Sequence, residues 1–311
     1  MATRAARFPP ARWRIRPAVK HRPAAERLPC AARAGRRCLT VLAVVLVALG
    51  LGSCGPGRPG IELPSGPGVP VPDHDAVWDE AAQACRAVRS MQFMLTLGGR
   101  SGETTLRRTR MRAAVERPGS VRLEALAPFG APIFIFVAQT DEATLLLPRD
   151  RQVVVGARPS EVLDALAGLP LGPGDVRALL TGCLELDPIP VTARRYGEEW
   201  TAVDLQDGST AYLREAAGSP VIAAGRRGDL TVEYADHVRG LPRRLRILAR
   251  RGSAETDLVA TLSRVNINAG LPPNAFTLEV PGGFAPVTLD VVRGAPPLEQ
   301  RSPAAGDTAG R

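Results

Sequence analysis

Residues 105–116 read Thr105-Leu-Arg-Arg-Thr-Arg-Met-Arg-Ala-Ala-Val-Glu116, and residues 121–125 read Val121-Arg-Leu-Glu-Ala125. Thr105, Met111, Ala113 and Val115 fall on one face of the first stretch, opposite Arg108, Arg110, Arg112 and Glu116. Val121, Leu123 and Ala125 alternate in the same way with Arg122 and Glu124. A period of two marks half-buried antiparallel strands, with one face toward an apolar layer and one toward water. Just upstream, Met91, Phe93, Leu95 and Leu97 alternate with more polar positions, apart from Met94. Downstream, Ile133-Phe-Ile-Phe-Val137 has no polar partner face. That run is buried on both sides or lines an apolar surface.

Working outward, Asp73 caps a helix in which Val77, Ala81, Ala84, Cys85 and Val88 recur at helical spacing. Thr144–Pro148 and Gln152–Val155 read as short strands around Arg149-Asp150. Pro159–Leu166 is a short helix with proline in its first turn, and Asp175 caps a second over Val176–Leu180, ended by Gly182. From Arg194 the chain is a β meander with turns at Asp207-Gly208, Arg227-Gly228-Asp229 and Arg251-Gly252-Ser253. Its strands are expected near 199–206, 210–215, 220–226, 229–235, 243–250, 256–266 and 276–280. A sheet of about ten strands must curl, and the helices are the natural filling for its concave face.

The ends of the chain are of a different kind. A basic head runs into an uncharged stretch from Leu39 to Ser53, closed by Leu51-Gly-Ser-Cys54. The stretch is short for a membrane span and suits a signal-peptide core. Its last four residues resemble a bacterial lipobox, which makes Cys54 the lipidation site and residues 1–53 a cleaved leader. Residues 1–38 hold eleven basic side chains and one acid, +10, against +9 for the whole chain, so the remainder carries −1. The high pI belongs to the leader and is no evidence for nucleic-acid binding. Residues 54–72 read as a tether, since eleven of the 18 residues from Gly55 to Pro72 are Gly or Pro. At about 3.1 Å per residue such a tether reaches roughly 50 Å. Residues 73–292 are one domain, and residues 293–311 read as a disordered tail.

After the leader three cysteines remain, and with Cys54 acylated these leave Cys85 and Cys183. An oxidising periplasm lets them pair, and two small buried thiols are the other reading. No catalytic or metal-binding constellation is apparent. His74 and His237 lie far apart, Asp236-His237 has no accompanying nucleophile motif, and no Cys/His cluster has metal spacing. The arginines between Arg107 and Arg112 alternate along a strand and read as a solvated face, or as a contact for anionic headgroups.

Two segments carry a resemblance. Leu126-Ala-Pro-Phe-Gly-Ala-Pro132 is similar to a turn between two strands in the LolA/LolB-like lipoprotein carrier superfamily. Leu163-Asp-Ala-Leu-Ala-Gly-Leu-Pro-Leu-Gly-Pro-Gly-Asp-Val-Arg-Ala-Leu-Leu-Thr-Gly182 is similar to its helix, Gly-x-Pro, Leu-Arg and second helix. With the lipobox, the chain looks closer to the lipid-anchored LolB-like branch. The resemblance implies a mainly β (α+β) fold. It is an incomplete antiparallel β-barrel with an N-terminal helix and short lid helices over the concave face. It implies an acyl-chain cavity lined by Phe93, Leu95, Ile133, Phe134, Ile135, Phe136, Val137, Leu163, Leu166, Leu179 and Leu180. Which of the alternating residues 133–137 point inward stays open. Phe129 matches the apolar loop residue that delivers cargo to the membrane. The implied protein is a periplasm-facing outer-membrane lipoprotein, anchored through Cys54. It passes lipoproteins or lipids into the membrane without covalent chemistry or cofactor, with a soluble LolA-like carrier as donor. The chain departs from the family in having Ala178-Leu179-Leu180 where a tryptophan is common, a long tether and an added tail. The competing reading is a tethered β-domain scaffold of an envelope assembly complex, with a filled core.

Overall fold

The computed structural model describes residues 60–129, 131–184, 188–216 and 218–299. The leader and Cys54 lie outside them. The chain opens with β1 (Val69–Pro70) and α1 (His74–Arg86). Strands β2 (Ser90–Ser101), β3 (Thr104–Glu116), β4 (Ser120–Ala125), β5 (Phe134–Gln139), β6 (Glu142–Leu147) and β7 (Gln152–Ala157) follow. Two helices interrupt the strands, α2 (Pro159–Ala167) and α3 (Pro173–Thr181). The meander is β8 (Pro190–Tyr196), β9 (Trp200–Leu205), β10 (Thr210–Ala216), β11 (Ser219–Arg227), β12 (Leu230–Ala235), β13 (Arg244–Arg251) and β14 (Ala254–Ile267). It is followed by β15 (Ala285–Pro286) and α4 (Leu289–Gly294).

All fifteen strands form one sheet, in the order β1-β8-β9-β10-β11-β12-β13-β14-β2-β3-β4-β5-β6-β7-β15. The order does not close on itself, so the sheet is open. Pairing is antiparallel throughout except between β7 and β15. The count exceeds the ten or so expected, partly because two-residue segments cover both edges. β1 pairs with β8 and β15 with β7, which masks backbone groups that a bare edge exposes.

The alternation read from residues 105–125 holds with one break. Met111, Ala113, Val115, Val121, Leu123 and Ala125 are buried in the main core, but Thr105 is exposed and Leu106 buried in its place. The cause is a register shift opposite Leu97–Gly99, which puts one extra residue into β3. Gly99, at φ 146°, lets β14 approach so closely that a Cβ there would lie 2.1 Å from the Asp257 carbonyl oxygen.

Helix α1 packs across β8 and β11. Its N–H at Ala76 donates to the Asp73 side chain, and it buries Trp78, Ala81, Ala82 and Cys85. Helix α3 starts three residues earlier than expected, at Pro173. Asp175 does not cap it from outside but accepts from the Gly172 N–H at 2.9 Å from within the first turn.

Three further expectations are corrected. Residues 276–280 form no strand. They belong to a segment that crosses the outer face of β3 and β5, with Arg122 donating to the Ala275 and Thr277 carbonyls and Gln139 to that of Phe276. Residues 60–71, read as free tether, lie along the sheet. The Ile61 N–H donates to Glu233 Oε1, the Tyr196 hydroxyl to the Gly66 carbonyl, and the Val71 N–H to the Ala193 carbonyl. Ile61 and Leu63 pack on Trp200, Tyr212 and three alanines. At the other end the ordered chain runs past Arg293, since Leu298 is buried and accepts a bond from the Arg107 N–H.

Candidate functional site

The concave face is one continuous apolar cluster. Phe93 and Leu95 come from β2, Phe134 and Phe136 from β5, Leu163 and Leu166 from α2, and Leu179 and Leu180 from α3. Ile133 packs at its margin. Strand β5 decides the question left open by the run Ile133–Val137. Phe134 and Phe136 point inward, whereas Ile135 and Val137 belong to a separate cluster on the outer face with Ala114, Ala275 and Phe276. Ile135 and Val137 are therefore not part of the concave surface. The run lacks a polar side because a distant segment covers its outer face.

The cluster is filled as well as closed. Trp78, Phe134, Phe136, Met91, Met111, Leu145, Leu213, Leu245 and Leu258 are all fully buried. Trp78 and Tyr234 escaped the sequence reading. Both place a polar atom, Trp78 Nε1 and Tyr234 Oη, in the interior with no hydrogen-bond partner among the described residues. Burial pushes the Tyr234 phenol well above its ordinary range, so it stays protonated and is a donor. A buried donor without an acceptor costs about 1–3 kcal/mol. His237 instead pairs its Nε2 with the Ile222 carbonyl at 3.1 Å, and burial lowers its pKa from the ordinary imidazole value.

Helices α2 and α3, nine residues each, lie over this cluster. Val162, Leu163, Ala165 and Leu166 bury the inner side of α2, and Val176, Leu179 and Leu180 that of α3. Gly168 ends α2 at φ 70°, close against Ser101 Oγ. Two ion pairs tie the helices to hairpin turns, Arg251 to Asp164 at 3.0 Å and Arg227 to Asp175 at 3.1 Å. A third tie is covalent. Cys183, just beyond α3, is disulfide-bonded to Cys85 of α1, with Cα atoms 5.5 Å apart. An open pocket of about 410 Å³ lies beside the α2–α3 connection, between Leu169, Pro170, Leu171, Leu230, Ala249 and the polar pair Ser101–Thr256.

Phe129, on the loop between β4 and β5, is 90% exposed and does not fold back onto the core. Cys54, the proposed lipidation site, falls outside the described residues. Among the described residues no group of three or more His, Cys, Asp or Glu has the arrangement of a metal site, and no helix is long and apolar enough to cross a membrane.

No family model matches the chain, and no curated protein matches it. Some solved structures are similar to it in part. A LolA superfamily protein from Nitrosomonas europaea is 13% identical with a TM-score of 0.45, over 66% of this chain and 97% of that one. A putative outer membrane lipoprotein-sorting protein domain from Vibrio parahaemolyticus is 14% identical with a TM-score of 0.40, over 66% and 97%. The Mycobacterium tuberculosis lipoprotein LppX is 14% identical with a TM-score of 0.29, over 65% and 99%. The superfamily named from the sequence thus appears among these likenesses, which at such values carry no argument about what this chain binds.

Proposed function

We propose that this chain is a carrier that shelters acyl chains against the concave face of its sheet and passes lipoproteins or lipids into a membrane. The observation that carries the reading is the cover over that face. An aliphatic and aromatic surface spanning many strands is closed by two short helices, and the ion pairs that join them to the hairpin turns lie between partly exposed side chains. Such pairs contribute about 0–1 kcal/mol each. Swinging α2 and α3 away about the Cys85–Cys183 bond exposes Phe134, Phe136, Leu163 and Leu179 together, and each acyl methylene that replaces the helices there is worth about 0.8 kcal/mol. The two buried donors, Trp78 Nε1 and Tyr234 Oη, find acceptors if an ester or amide carbonyl enters with the chain. The reading needs no bond-making and no cofactor.

The rest of the proposal concerns place. Cys54 is the acylated residue, the protein sits on the periplasmic face of the outer membrane, and a soluble LolA-like carrier is the donor. Phe129 enters the bilayer at delivery. One observation favours the scaffold reading instead, namely that the interior is already filled by the protein's own side chains.

Native mass spectrometry of a chain from Gly60 to Glu299, purified from a bacterial periplasm without detergent, separates the two. Those bounds keep the docked strap and the buried Leu298. Bound lipid or acylated peptide, lost in Leu166→Glu, supports the carrier. A chain that emerges empty and ignores added fluorescent fatty acid is a scaffold. Phe129→Glu should spare uptake and block delivery to vesicles, and Cys54→Ala should abolish acylation.

A further inference from the structure

We propose that the outer face of β13, β14, β2 and β3 is a docking surface for an anionic phospholipid bilayer. This rests on the carrier reading only for the position of the anchor at Cys54. The register of the four strands sets two parallel rows across the face. Arg244, Thr261, Thr96 and Arg110 are successive cross-strand partners, and so are Arg246, Val259 and Gly98, with Arg108 against Gly98. Arginines therefore stand on both rims, on β13 and β3. Hydroxyls, a valine and a glycine form the floor between them. The trough has a volume of about 590 Å³ and is also bordered by Asp236. Three strand spacings put its rims about 14 Å apart, wide enough for lipid headgroups.

The charges on this face are unequally matched. Arg112 is paired with Glu124, and Arg246 with Asp257 at 2.8 Å. Among the described residues no acid lies within ion-pair distance of Arg108, Arg110 or Arg244. An overall charge of −1 outside the leader makes this a local concentration of positive charge. Guanidinium forks and threonine hydroxyls both suit phosphate oxygens.

Two chain segments start beside these strands. The docked strap begins beside Arg246, where a Cβ on Gly60 would lie 3.3 Å from its Nη1, and the next N–H is bound by Glu233. Five residues separate Gly60 from Cys54, and six residue steps span at most about 20 Å. The loop carrying Phe129 leaves the sheet at Leu126, whose N–H donates to the Arg110 carbonyl at 2.8 Å. A bilayer offers phosphates for the arginines and hydrocarbon for Phe129 at once. A nucleic acid would call for stacking aromatics, and the outer-face pair Trp200–Tyr212 lies beneath the strap.

The test reads arginine accessibility directly, which is simple here because the described residues contain no lysine. The full chain is reconstituted in vesicles of phosphatidylethanolamine with phosphatidylglycerol, or of phosphatidylcholine alone. It is then labelled with phenylglyoxal and mapped by mass spectrometry. Arg108, Arg110 and Arg244 should label at least about threefold less with the anionic vesicles. Exposed Arg149, on the β6–β7 turn, should label equally in both. Raising salt from about 0.1 M to about 1 M shortens the screening length from about 10 Å to 3 Å and should restore labelling. Arg110→Gln with Arg244→Gln should leave Arg108 labelled under all conditions.

Equal labelling of the three arginines with both compositions overturns the proposal, as does protection by a single-stranded RNA but not by vesicles. The anchor is read separately in Cys54→Ala. Protection that persists in that chain keeps the face without the anchor. Loss of acylation there, with unprotected arginines in the unaltered chain, keeps the anchor and removes the face.

Discussion

The two faces of one sheet are covered by different means, and the contrast says which cover can move. On the outer face, apolar side chains stand on two islands. One is built around Trp200 and Tyr212, whose rings meet edge to face at 6.4 Å, and the other around Ile135 and Val137. The chain lays an extended segment over each and fastens it with directed hydrogen bonds from or to the sheet. Glu233 and Tyr196 hold residues 60–66, while Arg122 and Gln139 hold residues 275–277. On the inner face the apolar surface is continuous, and the helices above it meet it through side-chain packing, with two ion pairs and the Cys85–Cys183 bond at their ends. Polar fastening fixes a segment in one register, whereas packing against a smooth aliphatic surface leaves exchange for another aliphatic object nearly neutral. On the proposed carrier reading, the inner cover is the replaceable one.

The sharpest way to break this comparison is to delete one ring from each side. Phe136→Ala should lower stability by about 3–5 kcal/mol and Phe276→Ala by about 1–3 kcal/mol, read from urea midpoints. Equal losses would mean that the outer island is as much a core as the inner cluster. Next in size, Cys183→Ser should cost about 2–5 kcal/mol, and the unaltered protein should lose a similar amount on reduction, both seen by thermal melting. A larger fatty-acid uptake rate in the reduced protein would sharpen the view of this bond as the fixed end of a moving cover. Leu63→Asp should detach the strap for about 1 kcal/mol, with a red shift of Trp200 emission as its ring meets water. An unchanged spectrum would show that the outer cover does not depend on its apolar contacts.

The smallest effect belongs to the outer-face ion pair. Hydrogen bonding from Arg246, followed by its charge, holds the Asp257 carboxyl below its usual range. Its contribution is present above about pH 4 and is lost as pH falls through the lower folded value. Both side chains are partly exposed, so Asp257→Asn should cost no more than about 1 kcal/mol at pH 7 and nothing at strongly acidic pH, by urea titration. A constant difference at every pH would assign its role to shape.

Local patterning revealed most elements, because alternation and turn residues are encoded within ten residues or so. Strands β9 to β14 fall within a few residues of where Asp207-Gly208, Arg227-Gly228-Asp229 and Arg251-Gly252-Ser253 place them. What escaped depends on contacts far apart in sequence. Nothing near Ile135 announces that Phe276 will cover it. Nothing in a Gly/Pro-rich run announces that Ile61 and Leu63 will find Trp200. The extra residue in β3 reversed Thr105 and Leu106 for the same reason, since a bulge is set by the partner strand. The candidate site was legible as a list of apolar residues but not as a face. Eight of the expected side chains lie together, Ile133 lies at the margin, and Ile135 and Val137 point the other way.

The order of strands also sets a timetable. Strand β2 pairs on one side with β3, its neighbour in sequence, and on the other with β14, where Ser101 lies opposite Thr256. β1 waits for β8, with Val69 opposite Arg195, and Leu106 bridges to Glu299. A chain that emerges N-terminus first can close none of these three contacts until well over a hundred residues have followed. Such distant closures slow folding, because the loop entropy is lost before the contact repays it. A chain led through a narrow channel would therefore stay threadable for most of the way, and would become committed to its shape only when its last strands arrive.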